Sequence, residues 1–234
     1  MNVLVVGCHP ADLEISCGGT IAKYSADGYN VTCCNVADGS MGHVEVPPDE
    51  MREIRFNESK QSIGLLGAAL ISIGARDLQI DAKDPGLVKR MVKVIRDAQP
   101  DIIITHSPDD YMSDHVEVSR LVFNASFSAG IPQYEPNLGE ACGTAALYYM
   151  DTQAGVGFHP QEFVDISPVV DLKLAALSCH ASQIKFMYQH DKVDFLDFVR
   201  TCAKYRGFQC GAPFAEAFTP CNVWPRIRTG RLLP

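Results

Sequence analysis

Apolar runs alternate with helix-periodic stretches along the first half of the chain. The pattern predicts a strand over 2–7, a helix over 15–26 and a second strand over 30–36. Residues 38–42, Asp-Gly-Ser-Met-Gly, read as a loop. A long helix is expected over 48–67, with Ile54, Ser62, Leu65 and Leu66 on one face and Gly67 as its stop. Strand, helix and strand follow over 69–73, 85–98 and 101–105. Strands that are apolar throughout and separated by helices predict an α/β fold, a mostly parallel sheet covered by helices on both faces.

The second half is less regular. A helix is expected over 114–128, a Pro- and Gly-rich stretch over 131–143, and strands over 145–151 and 162–166. Ser167 is placed to cap a helix with Pro168 at its first position, running to about His180, and another helix covers 194–206. Residues 207–234, with Pro213, Pro220 and Pro225, are expected to be mostly loop. With no repeat and no low-complexity linker, the expectation is a single Rossmann-like domain over 1–234 with an irregular C-terminal part. Gly18-Gly19 lacks the spacing of the dinucleotide-binding glycine fingerprint, which argues against a nucleotide fold of that type.

Composition narrows the function classes. Apolar residues at 47% and charged residues at 21% suit a globular protein, and the 234 residues suffice for a full core. A net charge of −8 with no basic run argues against nucleic-acid or anionic-membrane partners. There is no signal-peptide pattern and no run near the roughly 18 apolar residues of a membrane span. The nine cysteines are odd in number and contain no Cys-x-x-Cys, so they read as reduced thiols in a cytoplasmic protein.

Two histidine–carboxylate clusters stand out. His9-Pro-Ala-Asp12-Leu-Glu14 follows the first strand, and Asp109-Asp110-Tyr-Met-Ser-Asp114-His115 follows the strand at 101–105. Successive parallel strands end on one edge of a sheet, where open α/β folds bind ligands, so the clusters can converge. Two histidines and one carboxylate make a three-ligand set for catalytic zinc with a position left for water. The alternative is structural: a satisfied histidine near a turn, with Asp12 or Asp114 capping a helix. On the residues alone both readings stand.

The order of motifs resembles the LmbE-like or PIG-L family of zinc-dependent N-deacetylases. An apolar strand leads into a His-x-x-Asp segment and the Gly18-Gly19-Thr20 helix entry, then Val36-Ala37-Asp38-Gly39. Arg55, Glu58 and Leu66-Gly67 match the family's Arg-x-x-Glu helix, and Pro100-Asp101 through Asp114-His115 match its second cluster. Val164–Ser167, Lys173, His180 with Ser182-Gln183, and Ala215–Phe218 complete the likeness across nearly the whole chain.

The resemblance implies zinc on His9, Asp12 and His115. It implies hydrolysis of the N-acetyl group of an N-acetylglucosamine-type substrate to acetate and a free amine, in a homo-oligomer such as a trimer or hexamer. It further implies substrate contacts by Asp38 and Arg55, Asp114 as the group orienting His115, and a role for His180 either at the site or in the structure. Two positions depart from the family pattern. Ala11 stands where the family carries its general-base aspartate, and Met112 where many relatives carry an oxyanion-stabilising histidine. A methyl group accepts no proton, so the resemblance implies a deacetylase whose base has been lost, the alternative being a non-catalytic zinc-containing sugar- or metabolite-binding protein.

Overall fold

The structure, a computed structural model, describes residues 1–226. Seven strands form one sheet: β1 (Asn2–Gly7), β2 (Asn30–Ala37), β3 (Ala69–Ala75), β4 (Ile102–Thr105), β5 (Ala146–Met150), β6 (Glu162–Asp165) and β7 (Ala215–Pro220). Their spatial order is β3-β2-β1-β4-β5-β7-β6. The first five are mutually parallel, and β7 runs antiparallel to both β5 and β6.

Val3–Val6 of the central strand are buried on both faces, which explains their unbroken apolar run. The helices are α1 (Asp12–Ala26), α2 (Pro48–Leu65), α3 (Pro85–Ala98), α4 (Ser113–Ser128), α5 (Val170–Ser178), α6 (Ala181–Phe186) and α7 (Phe195–Cys210). On one face Leu87, Met91 and Ile95 of α3 and Val118, Leu121 and Val122 of α4 pack on Leu4, Val6 and Ile103. On the other, Leu13, Cys17 and Ile21 of α1 and Ile63 of α2 pack on Val3, Val5 and Ile104.

Local chemistry sets several helix ends. Asp84 accepts from the amides of Gly86 and Leu87 at 2.6 and 3.1 Å ahead of α3, and Asp194 accepts from Asp197 N ahead of α7. Gly67, at φ +76, sits just past the end of α2, as expected of a left-handed stop.

The structure corrects four expectations. First, 207–234 is not mostly loop: α7 runs to Cys210, and Ala215–Pro220 is an interior strand of the sheet; residues 227–234 lie outside the described range. Its second residue, Glu216, disguised it. That carboxylate is buried, taking the amides of Gly19 and Thr20 at 2.8 and 2.7 Å, the Thr20 hydroxyl at 2.6 Å and the Lys173 ammonium.

Second, α1 begins at Asp12 and kinks at Cys17 (φ −146°, ψ 17°), so its second part opens at Gly18-Gly19-Thr20, where Glu216 caps it. Third, Ser167 does not cap a helix; its hydroxyl donates to Asp165 Oδ1, and residues 167–169 form a single 3₁₀ turn before α5. Fourth, Leu65 is exposed, and the inward face of α2 carries Met51, Arg55, Ser59, Ser62 and Ile63. That face is partly polar because it borders the site rather than the core alone. The short α6 had no apolar period to announce it.

Candidate metal centre

β1 and β4 are neighbours and end on the same edge, so the segments after them meet. Asp12, the first residue of α1, is buried, and its Oδ2 accepts the amide of His9 at 2.7 Å, closing the turn between strand and helix. Around that oxygen stand His115 Nε2 at 3.2 Å and His9 Nδ1 at 3.4 Å. Metal–ligand bonds near 2.0–2.2 Å in a tetrahedron put donor atoms about 3.4 Å apart, a spacing each of these two pairs has, although the close donor groups are Asp12 with His106 and His115 and Asp12 with Cys8 and His9. His115 Nε2 is buried with no hydrogen-bond partner, as befits a nitrogen that exchanges its proton for a cation.

The far nitrogen of each imidazole rests on a carboxylate. His115 Nδ1 donates to Asp110 Oδ2 at 3.0 Å, and His9 Nε2 to Asp114 Oδ2 at 3.2 Å. Such partners fix the ring and the tautomer, turning the other nitrogen toward a metal. Asp114, expected beside His115, therefore serves His9. It also takes the amide of Leu78 at 2.8 Å, which ties the loop after β3 to the site.

Charge follows this geometry. Burial disfavours an imidazolium at His115, yet Asp12 and Asp110 outweigh it and raise its pKa to about 9. Burial likewise opposes ionisation of Asp12, but His115, His106 and His9 hold its carboxyl well below the ordinary range. Without a metal the site is thus charge-paired, with protonated His115 and His9 against the Asp12, Asp110 and Asp114 carboxylates, and a bound cation would displace those protons.

His106, which follows β4 directly, belongs to the same cluster, with Nε2 3.4 Å from Asp12 Oδ2. That nitrogen already accepts the Cys8 amide at 2.8 Å, and the ring stacks on His115 with centroids 3.9 Å apart. It links the ends of β1 and β4 and buttresses His115; burial lowers its pKa to about 4. Sequence reading missed both His106 and the role of Asp110. The signal for His106 was its place immediately after a strand, the same place His9 occupies after β1. Cys8, beside His9, is buried, and burial pushes its thiol up to about 12.

The other expected residues are placed as follows. Ala11 is buried at the mouth of α1, with φ +89 and ψ −19, left-handed backbone that disfavours alanine. Asp38 is buried, accepting Arg52 Nε at 2.8 Å and the Ser40 amide at 3.0 Å. With Pro10, Asn35 and Phe56 it lines a cleft of about 270 Å³ beside the His9 segment. Arg55 is also buried and donates to the carbonyl of Gly42 at 2.7 Å, bracing the loop after β2. His180 is wholly buried, its Nε2 2.9 Å from Glu14 Oε1, which Ser62 also donates to. That bond fastens α6 to α1, so His180 acts in the structure, and Glu14 is turned away from the metal ligands.

The Pro- and Gly-rich stretch 131–143 lies at the opposite edge of the sheet from the metal-centre segments. There Arg96, near the end of α3, donates to the carbonyls of Ala129, Ile131, Tyr134, Glu135 and Gly139. The segment precedes β5, and the starts of parallel strands face away from their ends.

Among the described residues no helix is long and apolar enough to cross a membrane. Residues 4–126 match the family model described as PIG-L, GlcNAc-PI de-N-acetylase. The diacetylchitobiose deacetylase of Thermococcus kodakarensis is 33% identical over 230 residues, covering 92% of this chain and 81% of that protein. The 4-oxalmesaconate hydratase of Pseudomonas putida is 28% identical over 192 residues, covering 78% of this chain and 74% of that protein. In three dimensions the chain is similar to the N,N'-diacetylchitobiose deacetylase of Pyrococcus horikoshii, with a TM-score of 0.80, 26% identity and coverage of 93% and 82%. The converging clusters, the α/β sheet and these likenesses agree, and the chain belongs to the PIG-L family of de-N-acetylases.

Proposed function

We propose that the chain is a zinc-dependent hydrolase of the deacetylase type, acting on an N-acetylated amino sugar, with its proton-accepting position vacated at Ala11. The observation that carries this reading is the donor set itself. His9 Nδ1 and His115 Nε2 lie 3.4 and 3.2 Å from Asp12 Oδ2, and each imidazole is held from behind by a carboxylate. Two nitrogens and one oxygen suit zinc. Bound there, the ion would polarise an acyl carbonyl and bring the pKa of water toward about 7.

The chain's own residues supply the rest. Asp114 and Asp110 keep the two imidazoles oriented and raise their basicity, which strengthens them as ligands once a cation replaces the inward proton. Asp38, held by Arg52, borders the cleft where a sugar hydroxyl can be met. Position 11 presents only a methyl group, and general-base assistance is worth about 100- to 10,000-fold. The backbone at φ +89 accommodates aspartate more readily than alanine, so Ala11→Asp is expected to fold. The test measures zinc content and acetate release from N-acetylglucosamine and N,N'-diacetylchitobiose. Both forms should bind about one zinc, and Ala11→Asp should raise acetate release by about 100-fold or more. If neither form releases acetate from either sugar, the reading is overturned.

Ala11 also favours a second reading, supported by the hydratase relative from Pseudomonas putida. Adding water across a carbon–carbon double bond conjugated to a carboxylate expels no amine, so it does not require the same proton relay at position 11. Loss of conjugated ultraviolet absorbance from an unsaturated dicarboxylic acid with the unmodified zinc-loaded chain would put this reading first. No loss across such acids would remove it.

A further inference from the structure

Asp12 belongs to two groups of donors that could hold an ion. Asp12, His106 and His115 form one, and Cys8, His9 and Asp12 form the other; within each, one donor atom per residue lies within 4.8 Å of the rest. In the first group His106 Nε2 is already taken by the Cys8 amide. The second group draws all its donors from the single turn between β1 and α1. That turn is closed by the bond from the His9 amide to Asp12 Oδ2 at 2.7 Å, so the donors are held close before any ion arrives.

The spacing in the second group fits a sulfur-bound metal. Cys8 Sγ lies 3.6 Å from His9 Nε2. A metal–sulfur bond near 2.3 Å and a metal–nitrogen bond near 2.0–2.1 Å, opened to the tetrahedral angle, put the two donors about 3.6 Å apart. His9 thus presents a different nitrogen to each side: Nδ1 stands 3.4 Å from Asp12 Oδ2, and Nε2 stands beside the sulfur. An ion on Nε2 takes the place of the proton that this nitrogen shares with Asp114. Cys8 itself is fully buried in the core cluster that contains Leu4, Val6, Cys34 and Val36. Packing alone would be served by alanine or valine there, and the thiol adds a soft donor. The His9 side chain, 19% exposed, leaves a way in for an ion.

We propose that Cys8, His9 and Asp12 form a second cation position, separate from the one that includes His115, and that its sulfur selects a soft, thiophilic divalent ion. On binding, a sulfur–metal bond replaces the sulfur–hydrogen bond, and the proton passes to the buffer. The position goes beyond the hydrolase reading and does not depend on it.

The full chain, stripped with a chelator, is titrated with cadmium chloride and followed by the ultraviolet sulfur-to-cadmium charge-transfer absorbance. A band that saturates at about one ion per chain is expected. Cys8→Ser and Cys8→Ala should each abolish it; the alanine form, which keeps the apolar contact, decides the matter if serine disturbs the strand. His115→Gln should keep the band while losing zinc in chelator competition. Cadmium that binds without the band overturns the proposal, as does a band that survives loss of Cys8 and so belongs to other thiols. A band lost with His115 also overturns it, because the ion would then sit at the zinc position. Zinc binding by the unaltered chain is read separately: its failure removes the hydrolase reading and leaves the sulfur position to stand or fall on its own band.

Discussion

Replacing Glu216 by alanine should be among the most destabilising single changes in this chain. The carboxylate is buried on β7 and answers two backbone amides at the start of the second part of α1, one hydroxyl and the Lys173 ammonium. Lys173 is equally buried and keeps only the Ile15 carbonyl, at 2.8 Å, once the carboxylate is gone. Breaking a buried ion pair from one side costs about 3–5 kcal/mol. Loss of a helix cap adds about 1 kcal/mol. The two overlap, so about 4 kcal/mol is expected, a large share of the roughly 5–15 kcal/mol that holds a domain together.

Urea unfolding followed by circular dichroism reads this as a lower midpoint with an unchanged slope. Glu216→Gln should lose less, about 2 kcal/mol, because its amide oxygen still accepts while only its amide nitrogen is left facing donors. The double variant Lys173→Met/Glu216→Gln should recover part of the Glu216→Gln loss, with a coupling of about 1–2 kcal/mol. A Glu216→Ala loss under about 1 kcal/mol, or a cycle additive within about 0.5 kcal/mol, would refute the view that this pair locks β7 to α1.

Other expectations are open to direct measurement. Asp110→Ala frees the ring of His115 and should weaken zinc binding by about 10- to 100-fold in chelator competition, with far-ultraviolet dichroism unchanged. Gly19→Ala would bring a Cβ to 2.6 Å from Ile166 Cγ2, inside a fully buried contact, and should cost about 1–3 kcal/mol, read as a fall in Tm. All nine cysteines should titrate with a thiol reagent after unfolding, whereas in the native chain exposed Cys210 should react first and buried Cys8, Cys17, Cys33 and Cys34 last. Fewer than nine thiols after unfolding would contradict the absence of disulfides.

Much of the first half was legible because its signals are local. The unbroken apolar runs of β1, β2 and β4 report burial on both faces, and the Asp84-Pro85 entry of α3 reports its cap and first turn. The rule that parallel strands end on one edge predicted that the His9–Asp12 and Asp110–His115 segments meet, and the order of motifs suggested the family. Ala11 stood out only through the resemblance, which implies an aspartate at that position.

Tertiary structure decided what depends on partners distant in the chain. A short strand that carries a carboxylate and ends in proline reads as loop until Lys173 and the amides of Gly19 and Thr20 surround Glu216. Whether Asp110 or Asp114 supports His115 turns on a few ångströms of loop path, which spacing cannot resolve. His106 is a ligand candidate by composition and a buttress by geometry, because its Nε2 is already taken by the Cys8 amide. Sequence determined the elements and the reactive groups, since periodicity and residue chemistry are carried by neighbours. The fold alone chose which lone pairs face inward, since each nitrogen's role depends on what the opposite nitrogen meets across the sheet edge.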